Sequence, residues 1–335
     1  MDIFKDQSVL ITGGTGSFGK AFAKKILSTT RCRKVIIFSR DEWKQWEMRQ
    51  IDPVYNDRRI RYFIGSIRDT SRLMRAFRDV DIIIHAAALK QVPVAEYNPT
   101  EFVSTNVIGS MNIINAAIDS KVKKVIALST DKAVNPVNLY GATKLCADKL
   151  FIAGNSYVGV QRFPIFSIVR YGNVLDSRGS ILPMWKGMIE QGAELLPITD
   201  EKMTRFWITL DQAVQFVIKA LPLSRGGEIF IPKIPSMKIV DLAKAIAPTL
   251  PHTVIGKREG EKLHELMISV EDGSHTLEFD DHYIIVPEIF LSRPSLLKKF
   301  LAGRKGKAPP KNFSYASNTN SRWMQAEELK KVLNL

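Results

Sequence analysis

The sequence predicts an α/β fold in which helices cover both faces of a doubly wound, mainly parallel β-sheet. Short apolar runs rich in Val and Ile alternate with segments of helical length through the first half of the chain. Such continuous apolar runs are typical of parallel strands that are buried on both faces. A glycine-rich turn follows the first run, and the regular alternation fades after about residue 172, which indicates a smaller lobe after the sheet.

Six apolar runs predict the strands of this sheet. They are Ser8–Thr12, Lys34–Phe38, Ile60–Ile64, Asp81–His85, Lys124–Leu128 and Ile165–Arg170. Helical periodicity in the intervening segments predicts helices over Phe18–Leu27, Thr105–Ser120 and Leu139–Asn155. Strands that alternate with helices of this length are joined as βαβ units, so the strands are expected to run parallel.

The second half of the chain has shorter periodic segments and more Gly and Pro. Helices are predicted over Leu182–Gln191, Leu210–Ala220 and Ile239–Thr249, and over Gln325–Leu335 after a Gly-, Pro- and Lys-rich tail. This composition predicts a smaller α/β lobe above the carboxyl edge of the sheet, where ligands of α/β proteins bind.

Composition excludes several classes of protein. The 335 residues are 45% hydrophobic and 24% charged, which is the balance of an ordinary globular protein of about two domains. Cys32 and Cys146 are too few to staple a fold of this size, so we expect a reducing, cytoplasmic setting. The first residues contain no apolar signal region, and the longest apolar runs, such as Asp81–Leu89, are shorter than the ~20 residues of a membrane span.

The net charge of +14 has two interpretations. Lys and Arg side chains could neutralise nucleic-acid phosphates, or they could form a solvated basic surface that attracts an anionic small molecule. The densest basic stretches, Arg58–Arg61 and Arg304–Lys307, are short and contain no aromatic residues. We therefore predict a small anionic ligand and no nucleic-acid partner, with salt-dependent RNA retention as the observation that would favour the alternative.

The first strand is followed by glycines at positions 13, 16 and 19. This spacing is typical of a Rossmann-type dinucleotide site: Gly13 allows a tight turn, Gly16 lets the backbone approach a pyrophosphate, and Gly19 lets helix and strand pack closely. The helix that follows offers unpaired N–H groups to the phosphates. Because strand, turn and helix occur together, the sequence predicts a bound dinucleotide.

The second strand ends in Ser39, Arg40 and Asp41. An acidic residue here would bond the ribose 2′-hydroxyl of NAD, whereas the guanidinium of Arg40 would bind the 2′-phosphate of NADP, with Ser39 as a second donor. Asp41 leaves the NAD interpretation open if the register shifts by one residue. We predict NADP.

A group of polar residues follows the fifth strand. Thr130 stands at its carboxyl end, and Tyr140 and Lys144 are four residues apart, which places them on one face of a helix. A nearby ammonium favours the phenolate form of Tyr140 and thereby lowers its pKa, so the pair could act as a base. A Tyr and a Lys at this spacing also occur by chance on surfaces, but here they follow the glycine turn and Thr130.

Six further segments of the chain match the pattern of a known protein family. They are Ala86–Pro93, Glu96–Pro99, Asp131–Lys132, Arg170–Val174, Met203–Trp207 and Gly260–Glu265. With them, nearly the whole chain from Phe4 onward resembles the extended short-chain dehydrogenase/reductase family, and in particular its inverting UDP-N-acetylglucosamine 4,6-dehydratases, which also epimerise C5. The resemblance implies a hydro-lyase of a nucleotide-sugar pathway, for polysaccharide biosynthesis or glycosylation, with UDP-N-acetylglucosamine as substrate, a tightly bound NADP recycled in each turnover, and a homo-oligomer of unknown order.

The resemblance also implies the residues that contact the cofactor. They are Thr12, Gly13, Gly16, Ser17, Phe18, Gly19, Ser39, Arg40, Ser66, Ile67, Ala86, Ala87, Tyr140 and Lys144. At two places the chain departs from the family pattern. Ser66 stands where the family usually has Asp, and Arg258–Glu259 precede Gly260 where a proline is usual.

Within this resemblance, Lys132 distinguishes the subfamilies. Retaining 4,6-dehydratases typically have an Asp–Glu pair at this point, and 4-epimerases have neither residue in these roles. The implied reaction oxidises C4, removes water across C5 and C6, reduces C6 and reprotonates C5 from the opposite face. Our hypothesis gives the C5 proton transfer to Lys132 and the acid role at O6 to Asp131. The reverse assignment and a plain ion pair between them stay open.

Four residues are predicted to contact the substrate: Lys90, Asn173, Arg205 and Glu261. Arg205 is the candidate clamp for the diphosphate because a guanidinium fork suits phosphate geometry. Lys90 could equally be a solvated lysine, Asn173 a turn residue and Arg205 an exposed loop residue. Asn106 is expected to have a structural or proton-relay role. His264 with Glu265 lacks the further ligands of a metal centre, so no metal site is predicted.

The sequence thus predicts an NADP-binding domain with the catalytic Tyr and Lys over residues 1–172, and mainly a substrate-binding lobe over 173–335, from which some segments return to the first domain. Two alternatives stay open: a UDP-sugar 4-epimerase of the same fold, which would release no water, and a non-catalytic NADP-binding protein with a basic RNA-binding surface. An intact set of Thr130, Tyr140 and Lys144 argues against the second.

Overall fold

The computed structural model of the protein describes residues 2–159, 163–177 and 179–333. In these residues the strands are β1 (Ser8–Thr12), β2 (Lys34–Ser39), β3 (Ile60–Ile64), β4 (Ile82–His85), β5 (Lys124–Thr130), β6 (Ile165–Tyr171), β7 (Asn173–Val174), β8 (Leu196–Ile198), β9 (Thr204–Ile208), β10 (Ile229–Pro232), β11 (Ser236–Lys238), β12 (His252–Val254), β13 (Leu266–Ile268), β14 (Thr276–Glu278), β15 (His282–Ile285) and β16 (Tyr315–Ala316).

The helices of the same residues are α1 (Ser17–Thr29), α2 (Glu42–Ile51), α3 (Thr70–Ala76), α4 (Val92–Tyr97), α5 (Pro99–Phe102), α6 (Gly109–Asp119), α7 (Leu139–Gly154), α8 (Ile181–Glu190), α9 (Leu210–Leu223), α10 (Ile239–Ile246), α11 (Val270–Gly273), α12 (Glu288–Leu291), α13 (Pro294–Leu301) and α14 (Ala326–Leu333). Short 3₁₀ turns cover Pro53–Asn56 and Asp131–Ala133. Within the part of the chain that the structure describes, none of the helices has the length and apolar character needed to cross a membrane.

Nine strands of the described residues form one main sheet, in the order β14-β15-β10-β6-β5-β4-β1-β2-β3. The seven strands from β3 to β10 run parallel, whereas β15 and β14 pair antiparallel at the other edge. Order 3-2-1-4-5-6 is that of the Rossmann fold. The predicted α/β class and all six predicted strands are confirmed.

The second half of the chain is divided between the main sheet and a lobe. Strands β10, β14 and β15 extend the main sheet, and α9 packs against α1 and against β5 and β6. The other strands of this half form three small sheets, β11-β9-β7, β12-β8 and β13-β16. The lobe has a hydrophobic core of its own, in which Trp185 and Trp207 are fully buried.

One predicted helix is built differently from the expectation. The segment predicted as Thr105–Ser120 begins earlier, at Pro99, and passes through a π-helical stretch over Val103–Ile108 before α6. Proline at the first helical position favours that earlier start. The wider π turn lets Asn106 accept from the Leu89 N–H and donate to the Leu89 carbonyl, both at 2.9 Å. A π-bulge of this kind is common beside functional sites.

The other predicted helices differ from the observed ones by up to three residues at each end, as fraying termini usually do. The last predicted helix, Gln325–Leu335, is observed as α14, and its residues 334 and 335 lie outside the described residues.

Candidate active site

A cleft of about 580 Å³ opens at the carboxyl edge of the parallel strands, between the main sheet and the lobe. Most of the residues that the sequence singled out line it: Gly13, Gly16, Ser17, Phe18, Gly19, Ser39, Arg40, Ser66, Ile67, Ala86, Ala87, Lys90, Thr130, Lys132, Tyr140, Lys144 and Asn173. Thr12, Asp131, Arg205 and Glu261 do not line it. Residues distant in sequence are therefore brought to one surface, as the end-of-strand positions predicted.

The glycine turn lies against the end of β4. Gly13 has φ +64°, and a Cβ atom there would lie 2.9 Å from the Cα atom of Ala87, so only glycine fits. Gly16 caps α1 without a side-chain hydrogen bond, and the first-turn N–H groups of a helix have no partners within it. This end of the cleft is thus a cradle of backbone donors and positive helix dipole suited to an anion.

Thr12 lies at the base of this cradle and does not line the cleft, and its contact with the cofactor stays a prediction. Its side chain is fully buried, and its hydroxyl lies 2.8 Å from Nδ1 of His85 and accepts from the N–H groups of Ala86 and Ala87 at 3.2 Å. Burial lowers the pKa of His85 to about 3, so its ring is neutral and hydrogen-bonds to Thr12.

The end of β2 presents a cation to the cleft. The carboxylate of Asp41 accepts from the N–H of Lys44 at 3.0 Å as the cap of α2, and it pairs with the Lys44 ammonium at 2.9 Å. These hydrogen bonds with Lys44 hold the pKa of Asp41 below its usual range. The hydroxyl of Ser39 accepts from Gln45 at 3.0 Å. Arg40 is exposed in the cleft wall and forms no ion pair with any described residue.

Thr130 and Tyr140 are brought together by a close backbone approach. After β5 the chain makes the 3₁₀ turn Asp131–Ala133, and α7 begins beside it with Asn138 as cap, accepting from the N–H of Gly141 at 2.7 Å. A Cβ atom on Gly141 would lie only 2.2 Å from the carbonyl oxygen of Lys132. Glycine at this position therefore lets the first turn of α7 rest directly on the turn after β5.

Tyr140 is buried at the base of the cleft. Burial raises its pKa to about 12, and the cation that acts most strongly against this is Lys132. Lys144 was expected to have that role, but its ammonium donates to the carbonyl of Leu128 at 2.8 Å. Burial lowers the pKa of Lys144, and Asp148 one turn further along α7 opposes this.

A compact charged cluster stands beside Tyr140. The Lys132 ammonium lies 3.0 Å from Oδ1 of Asp131 and 3.3 Å from Oε1 of Glu265. Asp131 is fully buried behind the cleft and also accepts from the Thr130 hydroxyl at 2.9 Å. Burial disfavours the Lys132 ammonium, but the two carboxylates outweigh it and raise its pKa, whereas burial raises the pKa of Asp131.

Glu265 is the site residue that the sequence analysis did not assign. The motif Gly260–Glu265 contains two candidate polar side chains, His264 and Glu265, and neither is predicted to be a catalytic residue. In the structure Nδ1 of His264 lies 2.9 Å from the Thr204 hydroxyl, whereas Glu265 contacts Lys132 of the turn after β5. The motif indicated that this segment matters, but the contact between Glu265 and Lys132 could not be predicted from it.

Arg205 is placed differently from the expected diphosphate clamp. It is 7% exposed, and it donates to the backbone carbonyls of Thr204, Leu263 and Lys262 at 2.7, 3.2 and 2.9 Å. Its Nε lies 3.7 Å from Oε1 of Glu265. Because its guanidinium donates to the backbone of β9 and of the loop before β13, Arg205 holds that loop to β9 and does not line the cleft.

The remaining predicted residues divide between cleft and surface. Glu261 lies outside the cleft lining, and its carboxylate accepts from the Arg258 N–H at 3.2 Å. Asn173 lines the cleft, and its buried Oδ1 has no hydrogen-bond partner among the described residues. The Ser66 hydroxyl accepts from the Arg68 N–H at 3.2 Å. Burial, and then Lys132, lower the pKa of Lys90.

Several known proteins are similar to this chain in sequence and fold. The profile of the polysaccharide biosynthesis protein family matches residues 9–287. UDP-N-acetylglucosamine 4,6-dehydratase (inverting) of Campylobacter jejuni subsp. jejuni serotype O:2 is 53% identical over 333 residues, which are 99% of this chain and 98% of that protein. UDP-glucose 4-epimerase of Rickettsia akari is 39% identical over 99% of this chain and 96% of its own length. The X-ray structure of Pen from Bacillus thuringiensis matches with a TM-score of 0.88 at 35% identity, covering 99% of this chain and 98% of that one.

The fold, the cleft and these matches define an enzyme of the short-chain dehydrogenase/reductase type, and the predicted class of hydro-lyase is confirmed. The chain belongs to the polysaccharide biosynthesis protein family. The resemblance to the inverting dehydratases of that family, seen first in the sequence, is likewise confirmed.

Gly141→Ala tests the close approach of α7 to the turn Asp131–Ala133 after β5. The added Cβ must displace the Lys132 carbonyl, so we expect a loss of about 1–3 kcal/mol in the free energy of unfolding. Gly187→Ala is the matched control, because a Cβ at this helical position meets no atom within 4 Å, and we expect it to stabilise the protein by about 0.5–1 kcal/mol. Urea denaturation measures both. Equal stabilisation by the two substitutions would contradict the packing described here.

Proposed function

We propose that the protein is an NADP-dependent UDP-N-acetylglucosamine 4,6-dehydratase that inverts C5 and produces UDP-2-acetamido-2,6-dideoxy-β-L-arabino-hex-4-ulose. The observation that carries the proposal is the position of Lys132, which stands in the cleft beside Tyr140 and is paired with a buried Asp131. The Campylobacter relative, which is 53% identical to this chain, is named for this activity.

The cofactor site of this proposal is the cradle between β1 and α1. Backbone N–H groups of the first turn of α1 would hold the pyrophosphate. The missing Cβ of Gly13 lets the glycine turn lie against the backbone of Ala87 at the end of β4. Arg40 would bind the 2′-phosphate, since Asp41 is engaged by Lys44. Ser66 and Ile67 would adjoin the adenine. Hydride taken from C4 of the sugar and given back at C6 is the chemistry that NADP would supply here.

Tyr140 and Thr130 are assigned to the oxygen on C4. Thr130 would hydrogen-bond that oxygen, and Tyr140 would take its proton. Burial favours the neutral phenol, whereas positive charge in the cleft, to which Lys132 contributes, favours the phenolate. The ability of Tyr140 to act as a base therefore depends on the charges that surround it.

Asp131 and Lys132 are assigned to C6 and C5. Burial favours the protonated carboxyl of Asp131, which fits an acid that protonates the departing hydroxyl at O6. The carboxylates around Lys132 favour its ammonium, which fits delivery of a proton to C5. The proton that C5 loses would leave on the opposite face to the phenolate of Tyr140, once Tyr140 has passed the O4 proton to solvent, and solvent would reprotonate Asp131 and Lys132 for the next turnover. The reverse assignment would need an ionised Asp131, which its burial opposes.

A UDP-sugar 4-epimerase is the second candidate. The Rickettsia relatives with the name UDP-glucose 4-epimerase are 38–39% identical over 99% of this chain. A 4-epimerase returns hydrogen to C4 and releases no water, so it needs neither an acid at O6 nor a proton donor at C5. The cluster of Asp131 and Lys132 favours the dehydratase.

The division of labour along the chain belongs to the same proposal. Residues 1–172 would hold the cofactor with Tyr140 and Lys144, and residues 173–335 would mainly form the substrate lobe, with β10, β14, β15 and α9 returning to the main sheet. Lys90 and Asn173 would contact the sugar nucleotide. We expect a cytoplasmic homo-oligomer with tightly bound NADP.

Incubation with UDP-N-acetylglucosamine in deuterated water, followed by NMR, tests the proposed reaction. We expect a 6-deoxy-4-keto sugar with deuterium at C5 and the L-arabino configuration, because C5 is reprotonated from solvent-exchangeable Lys132. A D-xylo product would keep the dehydration but contradict inversion. UDP-N-acetylgalactosamine would show an epimerase, and no conversion after addition of NADP would contradict the proposal.

Arg40→Ala tests the preference for NADP. A hydrogen bond between charged groups contributes about 1.5–3 kcal/mol, so the affinity for NADP should fall about 10- to 100-fold while the affinity for NAD stays within twofold. Isothermal titration calorimetry of nucleotide-free protein measures both constants, with Arg78→Ala, an exposed arginine outside the cleft, as the control. An unchanged ratio of the two affinities would remove Arg40 from the cofactor site.

A further inference from the structure

We propose that Glu265 is a positioning residue for the C5 and C6 proton transfers: it holds the Lys132 ammonium against Asp131 and thereby keeps both groups in their proton-donating forms. This inference rests on the proposed dehydratase function and adds to it a residue from the second half of the chain. Glu265 acts on the sugar only through Lys132 and Asp131, since it does not line the cleft.

The contact geometry places Glu265 where it must influence Lys132. The ammonium is held from two sides, by Oδ1 of Asp131 at 3.0 Å and by Oε1 of Glu265 at 3.3 Å. Glu265 is 2% exposed and Asp131 is fully buried, so water screens the interactions of Glu265 with its two neighbours only weakly. Lys132 is the member of this trio that reaches the cleft.

The backbone of Glu265 is fixed by the C-terminal part of the chain. Its N–H donates to the hydroxyl of Ser317 at 2.9 Å, and its carbonyl accepts from the Ser317 N–H at 2.8 Å. The same buried hydroxyl lies 2.7 Å from that of Thr204 on β9. Glu265 therefore stands on a rigid junction of β9, β13 and the segment before α14, as a residue that sets the position of another must.

The charges around Glu265 decide its ionisation. It is faced by Lys132 of the turn after β5, Arg205 of β9 and Lys262 of its own loop. Burial acts to raise its pKa, but these three cations outweigh burial and lower it. The resulting carboxylate disfavours a second negative charge on Asp131 and favours the positive charge on Lys132, which raises the pKa of both.

A purely structural ion pair is the competing explanation, in which Glu265 serves Arg205 and the loop. The longer distance to Arg205, 3.7 Å against 3.3 Å to Lys132, argues that Lys132 is the closer partner. In addition, Arg205 already donates to three backbone carbonyls, so it does not need Glu265 to stay in place. A structural role would also leave the pH dependence of the reaction unchanged, which makes the two explanations separable.

Three variants carry the test: Glu265→Gln, Glu265→Asp and the control Glu271→Gln, an exposed glutamate after β13. For each, the rate of product formation and of deuterium incorporation at C5 from UDP-N-acetylglucosamine is measured between pH 6 and 10, with KM and kcat separated. Without the carboxylate, Asp131 and Lys132 lose their protons at lower pH. The fall in activity on the alkaline side should therefore begin at lower pH in E265Q.

We expect kcat at pH 8 to fall about 10- to 100-fold in E265Q, which is less than the ~10²- to 10⁴-fold contribution of a general acid or base itself, because Glu265 acts only through Lys132 and Asp131. We expect KM to change less than threefold. E265D retains a carboxylate at longer reach and should lie between wild type and E265Q in both rate and alkaline limb. E271Q should match wild type. If E265Q does not fold, E265D decides: a displaced limb supports the inference, and a wild-type profile overturns it.

The wild-type enzyme separates this inference from the proposed function. If wild type forms no 6-deoxy-4-keto product, the proposed function fails, and with it the reaction that Glu265 was to serve. If wild type converts the substrate and E265Q keeps the wild-type pH profile and kcat, the proposed function stands and the role of Glu265 is overturned. A lower rate with an unmoved alkaline limb would likewise assign Glu265 a structural role only.

Discussion

The candidate site depends on one close contact, between the first turn of α7 and the carbonyl oxygen of Lys132. Only glycine at position 141 permits it, because a Cβ atom would lie 2.2 Å from that oxygen. The contact puts Tyr140 beside the residues that follow β5, and Lys144 follows one turn later on the same face of the helix. Since β5 is a central strand of the parallel sheet, the whole group stands at the edge where the glycine turn after β1 also ends.

Several charged side chains are buried around this contact. Asp131 and Glu265 surround the Lys132 ammonium, and Arg205 lies behind Glu265. Buried ion pairs contribute little net stability, because desolvation offsets most of their attraction. Their value is in chemistry: a low-dielectric cluster sets the protonation of each member, and shifted pKa values of this kind are typical of functional sites. The arrangement also joins the two halves of the chain, since Lys132 comes from the sheet domain and Glu265 from the segment before β13.

Much of the fold followed from local patterns, because parallel strands, glycine turns and amphipathic helices have recognisable periods. The end-of-strand position of Thr130 and the spacing of Tyr140 and Lys144 were readable for the same reason. What could not be read was long-range packing. The return of β10 and β15 to the main sheet, the inward direction of Arg205 and the meeting of Glu265 with Lys132 each depend on contacts between segments far apart in sequence. A guanidinium that donates to backbone carbonyls and one that binds a phosphate look alike in a sequence.

In the proposed reaction, hydrogen moves from C4 to C6 of a single sugar bound in one cleft, and only the C5 proton exchanges with solvent. Substrate labelled with deuterium at C4, converted in ordinary water, tests this most directly by NMR of the product. We expect the label at C6 of a 4-keto-6-deoxy sugar, with ordinary hydrogen at C5. A label that remains at C4 of an epimerised sugar, or that is lost to water, would contradict it.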